Sequence, residues 1–234
     1  MSGHSKWATT HRQKAVVDAK RGAIFTKIGN QIAIAARGGT DPSTNSALAL
    51  AIEKAKAANM PNANIQRAID RVNDKNAAAL EEAVYEGYGP GGVGIIIEVA
   101  TDNKNRTYPE VRTALTKNGG TMADAGSVMF QFTRKGVIRV AATGEDALLQ
   151  ILDAGAEDAV EEDEGITVYT DMKELAKVRT ALVDAGLTVE DAELQYVPNA
   201  TVPVDDDEKA RKLAKVLDAL ESLDDVTNVA TNAA

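Results

Sequence analysis

Basic residues near the beginning of the chain, together with one tryptophan, have the side chains best suited to ligand chemistry. Lysine and arginine bind phosphate by charge without reading a base sequence, and an aromatic ring stacks on an unpaired base or a sugar. This mixture favours RNA as the ligand. An alternative role for Trp7 is a hydrophobic anchor that folds the tail onto the body. The candidate residues are Lys6, Trp7, His11, Arg12, Lys14, Lys20, Arg21 and Lys27, with Lys104 and Arg106 as a second group.

The charges of this 234-residue chain are divided unevenly along its length. Residues 1–75 have 12 Lys and Arg against 5 Asp and Glu, whereas residues 76–234 have 14 against 30. Such asymmetry indicates one part that approaches a polyanion and another that stays soluble or faces a basic partner. A solvated basic tail is the alternative interpretation.

The remaining residue types argue against catalysis. Cysteine is absent, and His4 and His11 are the only histidines, which excludes disulfides, thiolate nucleophiles and multi-histidine metal sites. Acidic clusters at 157–164 and 205–208 have the chemistry of acid–base pairs or divalent-cation ligands. Helix capping and surface solvation are their favoured roles. We therefore expect no enzyme activity, no bound metal and no cofactor.

A glycine cluster spans residues 86–92, with the sequence EGYGPGG. Phosphate-binding glycine loops follow a strand and open a helix, whereas this cluster leads into a predicted strand. It is therefore interpreted as a structural hinge or a partner-contacting turn rather than a nucleotide site.

The chain also lacks the sequence signals of a membrane or exported protein. Its apolar runs are much shorter than the ~20 residues that cross a bilayer, and the basic beginning has no apolar h-region. A cytoplasmic location is expected, without a membrane partner.

The first part of the chain has the hydrophobic spacing of a small helical domain. Three helices are predicted, over residues 15–37, over residues 45–58 and from Pro61 onward, joined by short connections. Gly38 and Gly39 end the first of them.

The rest of the chain predicts two α+β domains. Residues 137–197 have the order β-α-β-β-α-β, which is typical of the ferredoxin-like fold. The segments on either side supply a strand at 93–99, a helix at 105–117 and a strand at 128–132, then a helix at 205–223 and a strand at 226–230. Neither segment completes a sheet alone, so we expect them to form one domain into which the ferredoxin-like domain is inserted. The predicted boundaries are 1–78 for the basic tail and helical domain, 79–134 with 199–234 for the discontinuous domain, and 135–198 for the inserted one.

An internal repeat supports kinship of the two α+β domains. The sequences VRTALTKNGGT at 111–121 and VRTALVDAGLT at 178–188 share seven of eleven residues at an offset of 67. This offset is the length of a small domain rather than of a solenoid unit.

Several long motifs are similar to those of the YebC family of regulators. They are GHSKW at 3–7, DAKRG at 18–22, IFTK at 24–27, NMP at 59–61, YEGYGPGG at 85–92, DNKNRT at 102–107, GG at 119–120, GSV at 126–128 and GAED at 155–158. The resemblance covers nearly the whole chain. It implies a non-enzymatic cytoplasmic factor with one helical and two α+β domains. The contact residues that it implies are Lys6, Trp7, Arg12, Lys14, Lys20, Arg21 and Lys27, then Lys104 and Arg106.

The resemblance leaves two functions open, because some family members are described as DNA-binding transcriptional regulators and others act in translation on the ribosome. The family often has arginines where this chain has Ala47 and Ala49, and a more basic run at residues 10–14. No helix with base-reading side chains is evident, and an acidic body is repelled by extended duplex. A ribosome- or RNA-associated translation factor is therefore favoured over a DNA-binding regulator. A protein-binding adaptor with acidic domains is a third possibility.

Overall fold

A computed structural model describes residues 21–74 and 78–234 of the chain. These residues divide into two compact units. The first contains the described residues up to Thr133 together with Pro198–Ala234, and the second is Arg134–Val197. The second unit therefore lies within the sequence of the first.

The described part of the first unit contains three helices before its first strand, α1 (Arg21–Ala35), α2 (Ser46–Ala57) and α3 (Asn62–Asp70). Asn45 connects the first two, because its Oδ1 accepts the N–H of Leu48 at the start of α2 while its Nδ2 donates to the carbonyl of Ala35. This is an N-cap that also fixes the preceding helix end. The helices enclose a small apolar core that includes, among the described residues, Ile28, Ile32, Ala36, Leu48, Ala55, Met60, Ile65 and Ile69.

The same unit contains a four-stranded sheet formed by β1 (Glu81–Tyr88), β2 (Gly94–Thr101), β3 (Thr121–Ala123) and β8 (Val226–Thr231). The strand order is β3-β1-β2-β8, and the pairings of β1 with β2 and β3 and of β2 with β8 are antiparallel. Helices α4 (Lys104–Lys117) and α7 (Asp207–Glu221) pack on it around a core that includes Ile95, Ile97, Leu115, Leu213 and Leu220. Helix α1 also contacts β2 and β8. The described residues 21–74, which contain α1, α2 and α3 and are called the helical segment below, therefore pack against the sheet.

This sheet differs from the sequence-based expectation in two respects. Strands β1 and β3 were not predicted, and the strand predicted at 128–132 is wrong, because a 3-10 turn occupies Met129–Gln131. The buried carboxylate of Glu86 on β1 accepts the backbone N–H groups of Gly126, Val128 and Met129 at 2.5, 2.6 and 2.8 Å. These donors are thereby withdrawn from strand pairing.

The glycine cluster is divided between β1 and the connection to β2. Gly87 lies within β1, where a Cβ atom would be 2.9 Å from the carbonyl oxygen of Thr121 on the neighbouring strand. Gly91 and Gly92 have φ angles of 85° and 79° in the following 3-10 turn, a backbone conformation that favours glycine. Glycine at position 87 is therefore explained by the close approach of the neighbouring strand, and glycine at positions 91 and 92 by the positive φ angles of the turn.

The second unit consists of a four-stranded sheet and two helices. Its elements in chain order are β4 (Phe132–Val140), α5 (Glu145–Asp153), β5 (Asp158–Glu162), β6 (Gly165–Thr170), α6 (Leu175–Asp184) and β7 (Val189–Pro198). The strand order in the sheet is β5-β6-β4-β7. This element order and strand order are those of the ferredoxin-like arrangement. The predicted α+β fold class is confirmed, with seven α-helices and two four-stranded sheets in the described residues. None of these described helices is long and apolar enough to cross a membrane.

Candidate nucleic-acid interface

The structure describes the side chains of three of the predicted contact residues, Lys27, Lys104 and Arg106. Arg21 is described only as the first residue of α1. Lys6, Trp7, Arg12, Lys14 and Lys20 lie outside the described residues. The three described side chains all bind groups within the chain.

Lys27 connects the helical segment to helix α7. Its Nζ donates a hydrogen bond to the backbone carbonyl of Glu221, the last residue of α7. A cation is favoured there because the carbonyl end of a helix carries partial negative charge. Burial lowers the pKa of Lys27, while the nearby carboxylates of Glu221 and Asp224 act in the opposite direction. This contact gives Lys27 a structural role.

Arg106, on the first turn of α4, bridges two carboxylates. Its Nη2 lies 3.1 Å from Oδ1 of Asp102 and 3.0 Å from Oδ2 of Asp225, which precedes β8. The same oxygen of Asp225 also accepts the hydroxyls of Thr101 at 2.9 Å and Thr107 at 2.6 Å. Burial raises the pKa of Asp225, but hydrogen bonds from Thr107, Arg106 and Thr101 outweigh it and lower the pKa overall. Asp225 therefore stays ionised as the centre of this network.

The local sequence DNKNRT at 102–107 explains how the network is assembled. Asn103 caps α4 by accepting the N–H of Arg106 at 3.2 Å, and its own N–H donates to the hydroxyl of Thr101 at 2.9 Å. These bonds fix the turn between β2 and α4, so that Arg106 and Thr107 both face Asp225. Asp225 was missed by sequence reasoning, because it is more than a hundred residues from its partners in the chain.

Lys104 has a simpler environment. Its Nζ lies 2.6 Å from a carboxylate oxygen of Glu81, and both side chains are at least half exposed. The hydrogen bond and charge of Glu81 raise the pKa of Lys104, and the reciprocal interaction lowers that of Glu81. An exposed ion pair of this kind is screened by solvent and contributes little to stability.

Arg106 lies in a polar cleft of about 550 Å³ between α1, the β2–α4 turn and the segment after α7. The cleft also contains Arg71, whose guanidinium is 3.8 Å from Asp102 and 3.5 Å from the side-chain oxygen of Asn30. Carboxylates outnumber cations along its walls, so the cleft does not suit a phosphate group. Its charged lining residues are Arg71, Asp102, Arg106, Glu110, Asp224 and Asp225.

Further basic side chains point outward from the helical segment. Lys56 on α2 and Arg67 on α3 are exposed, and Arg67 donates a 2.6 Å hydrogen bond to Asn64 on its own helix. Over the described residues 21–74 the chain has seven Lys and Arg against four Asp and Glu. The helical segment therefore retains a positive balance that residues 78–234 lack.

Comparison with protein families identifies the chain. Residues 5–75 match the model described as the TACO1/YebC protein N-terminal domain, and residues 80–233 match that of the TACO1/YebC second and third domain. Together these matches cover most of the sequence. The chain belongs to the TACO1/YebC family.

Individual relatives agree with this membership. A Salinispora tropica protein is 52% identical over 238 residues, covering 99% of this chain and 95% of that protein. A Mycobacterium tuberculosis protein is 50% identical over 238 residues, covering 99% and 94%. Both are named "Probable transcriptional regulatory protein". A crystal structure of a conserved hypothetical protein from Aquifex aeolicus is similar with a TM-score of 0.89 and 42% identity, over 95% of this chain and 93% of that one.

Proposed function

We propose that this chain is a non-enzymatic, cytoplasmic regulatory factor that binds nucleic acid through its basic N-terminal part, with ribosomal RNA as the favoured partner. The observation that carries the proposal is the separation of charge. Residues 1–75 have an excess of seven basic residues, and residues 76–234 an excess of sixteen acidic ones. A polyanion is attracted by the first part and repelled by the second.

The chemistry of two carboxylates that each accept several hydrogen bonds supports a non-enzymatic role. Glu86 and Asp225 both have a lowered pKa, and each accepts three hydrogen bonds from the protein. A general acid or base needs a pKa near the working pH and a free proton-transfer position. Neither carboxylate meets this requirement, and both are explained by the bonds that they hold.

The exposed helices give reasons to favour irregular RNA over duplex DNA. Two side chains of α3 with base-reading chemistry are bound to their own helix, Gln66 to Asp70 at 2.8 Å and Arg67 to Asn64 at 2.6 Å. On α2, Ala47 is exposed and carries no charge toward a phosphate backbone. Ribosomal RNA offers unpaired bases and irregular grooves, which isolated cations and a stacking ring such as that of Trp7 can reach.

A DNA-binding transcriptional regulator is the second candidate. The specific observation in its favour is the name shared by the relatives from Salinispora tropica and Mycobacterium tuberculosis. The basic N-terminal part supplies phosphate contacts for either nucleic acid. Both functions therefore use the same basic residues, and only the DNA-binding regulator requires preference for a particular base sequence.

The proposed contacts are not equivalent. Lys6, Trp7, Arg12, Lys14, Lys20 and Arg21 are the primary set, since they belong to the most basic part of the sequence. Lys104 joins them by exchanging its exposed partner Glu81 for phosphate. Lys27 and Arg106 are secondary, because binding a phosphate would require them to leave the carbonyl of Glu221 and the carboxylates of Asp102 and Asp225.

A competition titration tests the proposal. The full chain is bound to a labelled ribosomal RNA fragment at physiological salt and challenged with unlabelled RNA, random duplex DNA and genomic duplex fragments of equal length. We expect RNA to compete best. Preference for one DNA sequence over random duplex by ~4 kcal/mol or more would establish the regulator instead.

Matched variants identify the contacting surface in the same assay. Substitution of Lys6, Arg12 and Lys14 by alanine is expected to weaken RNA binding and reduce its salt dependence. Substitution of Lys173, Lys177 and Arg179 removes the same charge from the second unit and is expected to leave the salt slope unchanged. Equal losses for both triple variants would contradict a specific N-terminal contact.

A further inference from the structure

The second unit carries an uninterrupted acidic region that nucleic-acid binding does not explain. Residues 141–172 contain ten Asp and Glu and no Lys or Arg. They form α5, β5 and β6. Strand β5 lies at the edge of its sheet, and α5 contacts it. Helix α5 and strand β5 are therefore contacting elements that both carry exposed carboxylates.

Two leucines lie exposed on the same helix. Leu149 and Leu152 are 57% and 47% exposed, and residues three apart are neighbours on a helix surface. The core of the unit takes Ala147 and Ile151 from α5 instead, both of which are buried. The two leucines are thus left over after the helix has packed on its sheet.

The exposed leucines lie among carboxylates that have no cationic partner in the described residues. Glu145, Asp146 and Asp153 stand three or four residues from Leu149, and all three are exposed. Other carboxylates of the region are already used, since Glu157 pairs with Lys135 at 2.9 Å and Glu161 accepts the N–H of Gly144 at 2.8 Å. The outer face of α5 therefore combines an apolar pair with three uncompensated negative charges.

We infer that this face, formed by α5 beside β5, is a docking surface for a basic amphipathic segment of another protein. Charge complementarity selects such a partner, because its lysines and arginines meet Glu145, Asp146 and Asp153 while its apolar side chains cover Leu149 and Leu152. RNA, DNA and anionic membranes are repelled by the same carboxylates. The surface belongs to the second unit, whereas the basic residues belong to residues 1–75, so the two surfaces are formed by different residues.

The direct test is a titration of the isotope-labelled full chain, followed by NMR. The probe is a 14-residue peptide of lysine and leucine with its leucines at helical spacing. Its controls are a peptide of the same composition without that spacing and a lysine-only peptide. We expect the amphipathic peptide to change the chemical shifts of amide signals from α5 and β5 alone. We also expect it to bind at least tenfold more tightly than either control peptide.

Surface variants make the test specific. Leu149→Ala with Leu152→Ala is expected to weaken peptide binding about tenfold without changing the melting temperature, since both side chains are exposed. Leu194→Ala, on β7 at the opposite edge of the sheet, is the matched control and is expected to bind normally. Asp146→Asn with Asp153→Asn is expected to reduce the salt dependence of binding.

Five outcomes would overturn the inference. Equal affinity for the three peptides would show that they bind by charge alone and that Leu149 and Leu152 make no contact with the leucines of the peptide. Shifts outside α5 and β5, or equal losses in the Leu194→Ala control, would place binding elsewhere. Shifts of α5 on adding RNA would make the surface a nucleic-acid site. Concentration-dependent self-association that the double leucine variant abolishes would make a second copy of this chain the occupant.

Discussion

Glu86 on β1 accepts the backbone N–H of Val128, 42 residues away in sequence, at 2.6 Å. The N–H groups of Gly126 and Met129 complete the set around the same carboxylate. Burial alone raises the pKa of Glu86, but these three backbone hydrogen bonds lower it overall. One ionised side chain thus holds the turn that leads from the first sheet into β4.

Replacement of Glu86 by alanine is expected to lower the free energy of unfolding by about 2 to 4 kcal/mol, because N–H donors of the turn lose their acceptor. Glu86→Gln retains one acceptor oxygen and is expected to lose less. Urea unfolding measures both values. Glu82→Ala, an exposed position on the same strand, is the control, and a similar loss there would show that the carboxylate is not the cause.

Stability is expected to fall at acidic pH through Glu86 and Asp225. Each has a folded-state pKa below that of the unfolded chain, so each stabilises the fold above about pH 4, the range of unfolded carboxyl groups, and this contribution is lost as pH falls through the folded pKa. Urea unfolding at pH 7, 5 and 3.5 measures the change. Between pH 5 and 3.5, the Glu86→Gln variant should lose less free energy of unfolding than the unmodified protein. An equal loss in the two proteins would show that Glu86 does not cause the pH dependence.

Removal of the Asp225 side chain is expected to destabilise the first unit by about 2 to 3 kcal/mol, because Thr101, Thr107 and Arg106 lose a common acceptor. Thermal melting of Asp225→Ala measures the effect. The neighbouring Asp224→Ala removes an exposed carboxylate and serves as control. If both variants melt alike, the network does not hold the β2–α4 turn to the segment before β8.

Deletion of residues 1–20 is expected to leave a folded protein that binds nucleic acid less tightly. Among the described residues, the core of the helical segment is formed by Ile28 and later residues, with Ile24 and Phe25 packed against it, whereas the deletion removes four basic residues and Trp7. The loss of two to four phosphate contacts lowers the slope of log affinity against log salt by roughly that number. An unchanged slope, with melting also unchanged, would exclude this segment as the contact.

Truncation after Pro198 is expected to unfold the sheet of the first unit while residues 135–198 remain folded. The truncation removes α7, whose buried Leu213, Val216, Leu217 and Leu220 each contribute about 1.5 to 3 kcal/mol by burial. It also removes β8, the hydrogen-bonded neighbour of β2. Hydrogen exchange of the truncated chain and of isolated residues 135–198 checks both expectations. Protection of β2 equal to that in the full chain would contradict the inserted arrangement.

The sequence by itself determined the elements that depend on local pattern. Asn45 and Pro61 mark the starts of α2 and α3, and α2 extends over residues 46–57 where residues 45–58 were predicted. The order of elements in residues 137–197 also follows from local periodicity. In both cases the signal is contained in a few consecutive residues, because helix capping and strand alternation are short-range effects.

Only the tertiary structure decided where Glu86, Lys27 and Arg106 find their partners. The predicted strand at 128–132 is a turn because a carboxylate from β1 takes its N–H groups, and no pattern within those five residues contains that information. Lys27 and Arg106 resemble phosphate contacts in sequence, yet in the fold they bind Glu221, Asp102 and Asp225. The physical reason is that ion pairs and buried hydrogen bonds depend on distance in space, which chain folding sets independently of distance in sequence.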